Sequence, residues 1–464
     1  MADIRKNGNG YFNFGSALSV RADAELKNEV FAQLFNNFTC TASKLTVESG
    51  SPLTLLAGDA EIPELSGYEF AIRVTEVGIS LVGADLRGFL HGYYTLLEMI
   101  EPFCLDVGEE RLGIPCVEIW DKPDFEYRMV HYCLFPENEL WEMENFLRFS
   151  AMLKATHVIV EFWGTLKFDA LKELAWENHS YTKDQIRPIF DMARTLGVKI
   201  VPMFNHWGHA SLSRGRYGKH TVLDQNPRLA TLFNHTGWVW NIENPRVKEL
   251  HRAVRRELVE LCGESEFFHI GCDEAYVPKS HEELYPVIEY LSEINGELKG
   301  MGRRTVMWGD MLLHKKHFPK EQRYDCNVND DGVEKVMLDG VPKDIIIADW
   351  QYNATEHPFK TSAFLKEKGF ELFVCPFDES YSNGACAAKT ADELGLLGVI
   401  HTTWHTLYKG VRNVSLVLNR AWNRDYDWSD DAMMYVGALY GKANPARGDY
   451  ERAGWCRQQI GGGY

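Results

Sequence analysis

Phe267-Phe268-His269-Ile270-Gly271-Cys272-Asp273-Glu274 is an apolar run that ends at a glycine and then delivers two adjacent carboxylates. A strand that stops there holds Asp273 and Glu274 at its C-terminal end, where α/β proteins keep their chemistry. By the two-residue period of a strand, His269, Gly271 and Asp273 share one face, so Glu274 joins Asp273 only if the chain bends at 273–274. The bland alternative is that Asp273 caps a following helix. Two carboxylates at touching distance do not ionise equally easily, and one is pushed toward its protonated form. An acid beside an anion is the division of labour that cleavage of a glycosidic bond needs.

Working outward from this stretch, short β-rich runs alternate with helical patterns from Pro115 onward. The runs are Arg128–Leu134, His157–Phe162, Val198–Phe204, Phe267–Gly271, Thr305–Trp308, Ile345–Trp350, Glu371–Cys375 and Gly398–Trp404, and amphipathic helices are clearest at Pro245–Leu261 and Glu282–Lys299. Eight such units predict a (β/α)8 barrel, whereas an open nucleotide-binding sheet would want a G-x-G-x-x-G turn after a strand, which is missing. Upstream, Gly67–Val74 and Gly78–Gly83 alternate as a hairpin, and Leu86–Ile100 carries helical periodicity closed by Glu101-Pro102. The expected fold class is therefore α/β: a small α+β domain (1–120), a catalytic barrel (121–430) and a C-terminal helical extension (431–464).

Composition narrows the function classes. With 464 residues, 45% of them hydrophobic and 25% charged, the chain suits one large soluble domain plus a smaller one. A formal charge of −17 argues against nucleic acid and against an anionic membrane as partner. The first residues, Met1–Lys6, lack the apolar stretch of a secretory signal, so a cytoplasmic location is expected. Ten cysteines without a C-x-x-C pair read as buried free thiols. His269 and Asp273 are spaced i, i+4 and His206 and His209 i, i+3, but neither pair sits on an evident helix and H-E-x-x-H is absent. Neither a metal nor another cofactor is expected.

Polar and aromatic groups near the strand ends are the candidates for a site: Arg128, Glu161, Trp163, Asn205, His206, His209, Asp273, Glu274, Trp308, Asp310, Trp350, Asp378, Tyr381, Asn383, His401, Trp404 and His405. Three strands end in tryptophan. Aromatic walls suit the apolar face of a pyranose, and carboxylates, Asn and Arg suit its hydroxyls.

The stretch Gly263–Glu274 resembles the signature of glycoside hydrolase family 20, the β-N-acetylhexosaminidases. Asn244-Pro245 with the helix leading to Cys262 is similar to the segment before that signature. Pro123–Arg128 resembles the family's first strand, Pro202–His209 its third-strand motif, and Gly67–Leu97 its accessory domain. The resemblance implies exo-acting hydrolysis of terminal β-linked N-acetylglucosamine or N-acetylgalactosamine, with retention, through an oxazolinium ion formed by the substrate's own acetamide. It further implies that Asp273 is the anion that orients the acetamide and raises the proton affinity of Glu274, the proton donor. Tyr381 would bond the acetamide oxygen, Arg128 the sugar hydroxyls, Asn383 would bind substrate where the family has Asp or Asn, and Trp308, Trp350 and Trp404 would wall the pocket. His209 with Glu161 would position the acid.

Several positions depart from that pattern. Met129 stands where the family's first strand has glycine, Glu161 and Trp163 occupy a region where it has Asp, and Cys272 replaces a glycine beside the pair. Trp404-His405-Thr406 lacks the glutamate expected after the last tryptophan. The partner implied is a glycan or glycoconjugate bearing N-acetylhexosamine, and a homodimer is the assembly considered. A catalytically silent carbohydrate-binding barrel is the competing reading.

Overall fold

Strands whose residues are apolar on both faces need cover on both faces, and a closed barrel ringed by helices provides it. The computed structural model describes residues 3–13, 19–22, 46–49, 54–59, 61–103, 105–106, 112–136, 138–175, 179–211, 223, 226–276, 280–377, 380–404 and 411–426, with isolated positions 436, 439, 440 and 443. The basic stretch 214–220, Asp378, His405 and nearly all of the expected C-terminal extension lie outside the described residues.

The first part of the chain forms one mixed sheet. Its strands are β1 (Asp3–Asn13), β2 (Ser19–Ala22), β3 (Thr46–Ser49), β4 (Thr54–Gly58), β5 (Phe70–Thr75), β6 (Gly78–Gly83), β7 (Leu105–Asp106) and β8 (Leu112–Asp121). Their order is β1-β8-β5-β6-β4-β2-β3, with β7 on β8. The expected hairpin is β5–β6, paired in register from Phe70↔Gly83 to Thr75↔Gly78. The helix Leu86–Phe103 buries Phe89, Leu90, Tyr93, Leu96 and Leu97 in one apolar cluster with Phe70, Ile72 and Leu81 of the sheet. It passes the stop expected at Glu101-Pro102, because a proline in the last turn disturbs only the helix end.

Eight parallel strands close the barrel: β9 (Tyr127–Cys133), β10 (His157–Glu161), β11 (Lys199–Met203), β12 (Phe267–His269), β13 (Arg304–Trp308), β14 (Ile346–Trp350), β15 (Leu372–Cys375) and β16 (Gly398–His401), with β16 back on β9. Alternate side chains divide between two cores. Met129, Ile159, Val201, Met203, Phe267, Val306, Ile346, Phe373 and Ile400 fill the barrel interior. Val130, Tyr132, Val158, Val160, Phe268 and Val399 face outward into the larger cluster under the helices. Each fully buried side chain of this size contributes about 1.5–3 kcal/mol, so the near-continuous apolar runs are explained by burial on both faces. All eight expected strands are present; β12 ends at His269, two residues before the expected boundary.

Where the first and last strands meet, the small domain grips the barrel. Trp422, at the end of the helix Val411–Trp422, donates its indole N–H to Asp121 Oδ2 at 2.7 Å. Arg128 lies over the same indole at 5.0 Å, and His91 of the small domain meets it edge-on at 5.0 Å. Lys154 Nζ reaches Glu98 Oε2 at 3.2 Å, and the Tyr94 hydroxyl donates to Leu196 O at 2.7 Å.

Arg128 is thereby reassigned. It occupies the N-terminal end of β9, opposite the mouth that carries the carboxylates, and is buried. Its guanidinium donates to Lys154 O (2.9 Å) and Phe125 O (2.7 Å), which leaves it in the seam and out of reach of a sugar. Arg128→Met should lower unfolding stability by about 3 kcal/mol, because two buried carbonyls lose a charged donor. Denaturant unfolding with parallel kinetics checks this: KM for substrate should stay unchanged, and a raised KM at unchanged stability would return Arg128 to the sugar site.

Candidate active site

The chain does not run straight out of β12. Ile270 still donates to Val306 O (2.8 Å) and Gly271 O accepts from Trp308 (3.0 Å), but φ is +67° at Gly271, +75° at Cys272 and +46° at Glu274. A left-handed residue reverses the normal strand alternation, so Asp273 and Glu274 enter the same pocket instead of opposite faces. The bend required at 273–274 is present. For Cys272 and Glu274, which have a Cβ, this conformation costs about 1–2 kcal/mol each. Fixed partners hold it: Glu274 N donates to Asp310 Oδ2 at 2.8 Å, and Glu274 O accepts the Trp238 indole N–H at 2.7 Å. At Gly271 a Cβ would fall 1.7 Å from Asn205 Oδ1, so only glycine fits beside that amide.

The pocket has a volume of about 260 Å³ and is lined by His209, Asp273, Glu274, Trp350, Tyr352, Phe377 and Trp404. It offers room for one sugar-sized ligand against an aromatic wall. A larger cavity of about 810 Å³ lies over Lys167, Asp169, Lys172, Glu173 and Lys183. Within it Lys183 is paired with Asp169 and Glu257, and the lining contains neither carboxylate of the pair. The smaller pocket is the one that can do chemistry.

His209 joins the two carboxylates. Its Nε2 lies 3.0 Å from Glu274 Oε2 and 3.3 Å from Asp273 Oδ2. The ring packs on Trp238 at 4.4 Å, and the preceding Gly208 is pressed against Asp273, where a Cβ would fall 1.8 Å from the carbonyl oxygen. Asp273 is 6% exposed, and its Oδ1 accepts no hydrogen bond among the described residues. Burial pushes its carboxyl up to about 7; His209 opposes this, while the charges of Asp310, Glu274 and Glu161 add to it. Asp310 is also pushed up by burial, yet it accepts from Glu274 N, from Asn327 Nδ2 (2.8 Å) and from Trp350 Nε1 (3.1 Å), all of which favour its anion. It ties the acid turn to the tryptophan wall.

Of the residues expected in the site, Asp273, Glu274, His209, Trp350 and Trp404 converge on the pocket. Trp308 lies beneath it, fully buried, with its ring 4.3 Å from His269 and 5.7 Å from Trp404; it is floor and not wall. Glu161 is one layer down, held by His131 Nε2 (3.2 Å), Cys133 Sγ (3.1 Å) and Asn205 Nδ2 (3.1 Å), while His209 pairs with the acids directly. Asn383 is buried and its amide is used structurally: it donates to Gln351 O (2.7 Å) and Ala354 O (2.6 Å) and accepts from Phe377 N (2.8 Å). Tyr381 opens the helix Tyr381–Leu394, is 36% exposed and lies outside the pocket lining, with Arg412 5.8 Å from its ring.

Tyr352 and Phe377 take the places at the pocket that the sequence reading missed. Their rings stack at 4.8 Å, and the Tyr352 hydroxyl accepts from Trp404 Nε1. Tyr352 stands two residues beyond Trp350, the strand spacing that carries one face into the mouth, and this was the available signal.

Comparison with known proteins agrees with this geometry. Residues 151–409 match Glycosyl hydrolase family 20, catalytic domain. The chain is similar to hexosaminidase D of Bos taurus, 23% identical over 60% of this chain and 84% of that protein. It is also similar to lacto-N-biosidase of Bifidobacterium bifidum, 20% identical over 67% of this chain, although it spans only 29% of that protein's length. Among solved structures, the chitobiase of Flavobacterium johnsoniae superposes with a TM-score of 0.70 at 14% identity, covering 99% of this chain and 73% of that one. The N-acetyl-beta-hexosaminidase of Streptomyces plicatus gives 0.67 at 15% identity, covering 95% and 93%. At these identities the structures speak for the fold alone, a barrel preceded by an α+β domain. With more than half of its length matched by the family's catalytic domain, the chain belongs to glycosyl hydrolase family 20.

Proposed function

We propose that this glycoside hydrolase is an exo-acting β-N-acetylhexosaminidase that works with retention by substrate-assisted catalysis. The observation that carries the reading is the convergence of Asp273, Glu274 and an aromatic wall on one pocket sized for a single sugar. The 2-acetamido oxygen of the bound sugar attacks the anomeric carbon as Glu274 protonates the leaving oxygen, giving an oxazolinium ion. Water activated by Glu274 then opens that ion. Asp273 accepts the acetamide N–H and faces the positive charge as it develops. Burial with few partners disfavours its anion in the empty site, so the cation that forms in the reaction is what the site is built to favour. His209, in contact with both carboxylates, fixes their relative orientation. Trp350, Phe377 and Trp404 pack the ring faces, and Tyr352 takes the role of acetamide oxygen partner that the family resemblance implied for Tyr381.

Three tests follow from the chemistry. Aryl β-N-acetylglucosaminide or β-N-acetylgalactosaminide should be hydrolysed while the plain β-glucoside, which has no acetamide, is not; turnover of the plain glucoside would remove the substrate as nucleophile, and turnover of none would favour a binding barrel. Glu274→Gln should lose activity on poor leaving groups by about 100-fold or more yet recover on strongly acidic phenol leaving groups, which need no proton. The pH profile tests Asp273. Because its raised carboxyl must be ionised, kcat/KM should fall as pH drops through about 7. The acid limb of kcat should lie lower, since bound acetamide stabilises the anion. Asp273→Asn should reduce kcat by about 100-fold or more at pH values above the acid limb and should remove that limb, and a variant with unchanged kcat would disprove the role of Asp273.

A further inference from the structure

Inside the barrel, one layer below the acid pair, three side chains of different chemistry converge. His131 and Cys133 share the inward face of β9, and Glu161 stands opposite Cys133 in the register of β10. His131 Nε2 and Glu161 Oε2 are 3.2 Å apart, Cys133 Sγ and Glu161 Oε2 3.1 Å, and Cys133 Sγ and His131 Nε2 3.7 Å. Around a tetrahedral zinc ion, with bonds of about 2.3 Å to sulfur and about 2.0 Å to nitrogen or oxygen, neighbouring ligand atoms lie about 3.3–3.5 Å apart. The three spacings lie within about 0.4 Å of one face of such a tetrahedron. We propose that His131, Cys133 and Glu161 form a three-ligand site for a zinc-type divalent cation in the barrel interior.

The surroundings fit a metal. The three residues are 0%, 3% and 1% exposed, so a charged group here must be compensated. A divalent cation with one thiolate, one carboxylate and one neutral imidazole is a net-neutral assembly, compatible with the apolar layer around it. The mixed nitrogen, sulfur and oxygen donors select zinc or cobalt over magnesium or calcium. Binding releases one proton, as the Cys133 S–H bond is exchanged for a sulfur–metal bond and the proton leaves to solvent; affinity therefore rises with pH. Neighbouring groups hold the ligands in place: Asn205 Nδ2 donates to Glu161 Oε1 at 3.1 Å, and the Thr403 hydroxyl donates to His131 O at 2.6 Å, pinning the strand. Asn205 Oδ1 is buried and accepts no hydrogen bond among the described residues. The His131 ring lies 4.6 Å from that of Trp404, so the ion would sit directly under the pocket wall.

The test reads bound metal and not released sugar, so it stands or falls apart from the hydrolase reading. The whole chain, stripped with a chelator and dialysed, is titrated with zinc by calorimetry and with cobalt by absorption. One ion per chain and a thiolate-to-cobalt charge-transfer band in the near ultraviolet are expected. Cys133→Ser and His131→Ala should weaken binding by about 100-fold, and Asn205→Ala by about tenfold, while Cys272→Ala should retain both stoichiometry and band. If Cys133→Ser and His131→Ala do not fold, X-ray absorption of the zinc-loaded wild type decides alone: one sulfur at about 2.3 Å with lighter donors at about 2.0 Å supports the site. No stoichiometric binding, a band that survives in a folded Cys133→Ser, or a shell without sulfur overturns it.

Discussion

Two residues with side chains held at positive φ, Cys272 and Glu274, are the constraint on which the site rests. In ordinary strand geometry the neighbours Asp273 and Glu274 diverge, and neither could assist the other. The left-handed turn brings them together at a conformational cost that the surroundings must offset. Asp310 captures the Glu274 amide, Trp238 captures its carbonyl, and Gly208 lets the His209 loop close on the back of Asp273. The strain, the aromatic wall and the histidine bridge therefore form one interlocked unit. Asp310 joins two of its parts, since it also holds Trp350.

A second dependence lies at the opposite end. A barrel is weakest where its first and last strands meet, because no covalent continuity enforces that pairing. Here the seam between β9 and β16 is stapled from outside: Trp422 of the last described helix is bonded to Asp121, covered by Arg128 and flanked by His91. Among the described residues, the small domain thus contributes none to the pocket lining, yet it fixes the closure that aligns the strand ends above.

Much of the architecture was legible because its physics is local. Runs such as Ile345–Trp350 and His157–Glu161 are apolar on both faces, and the intervening helices carry their own periodicity, so all eight strands were identifiable. The acid pair was legible from the glycine that ends its strand. The turn was not, since Cys272 and Glu274 have no preference for positive φ and adopt it only under tertiary contacts. Arg128 was misplaced although the order of its run held the answer: it opens the strand, and a residue that opens a barrel strand is at the wrong end for chemistry. Tyr381 and Asn383 were misread for another reason. Ser380 caps a helix there, so Tyr381 turns to the surface and Asn383 into the loop hydrogen bonds, while Phe377 and Tyr352 fill the wall. The grouping of His131, Cys133 and Glu161 needs the register between β9 and β10, which no spacing within one segment reveals.

Under the exo-acting hydrolysis proposed above, a pocket sized for one ring and floored by the buried Trp308 has a consequence for kinetics on long substrates. Such a pocket would admit a chain only by its end, and the released sugar would have to leave before the shortened chain could re-enter. Depolymerisation would then be limited by the concentration of termini and not by the mass of glycan present. An unbranched polymer would be consumed slowly and sequentially, whereas short or highly branched chains of the same total mass would be trimmed many times faster.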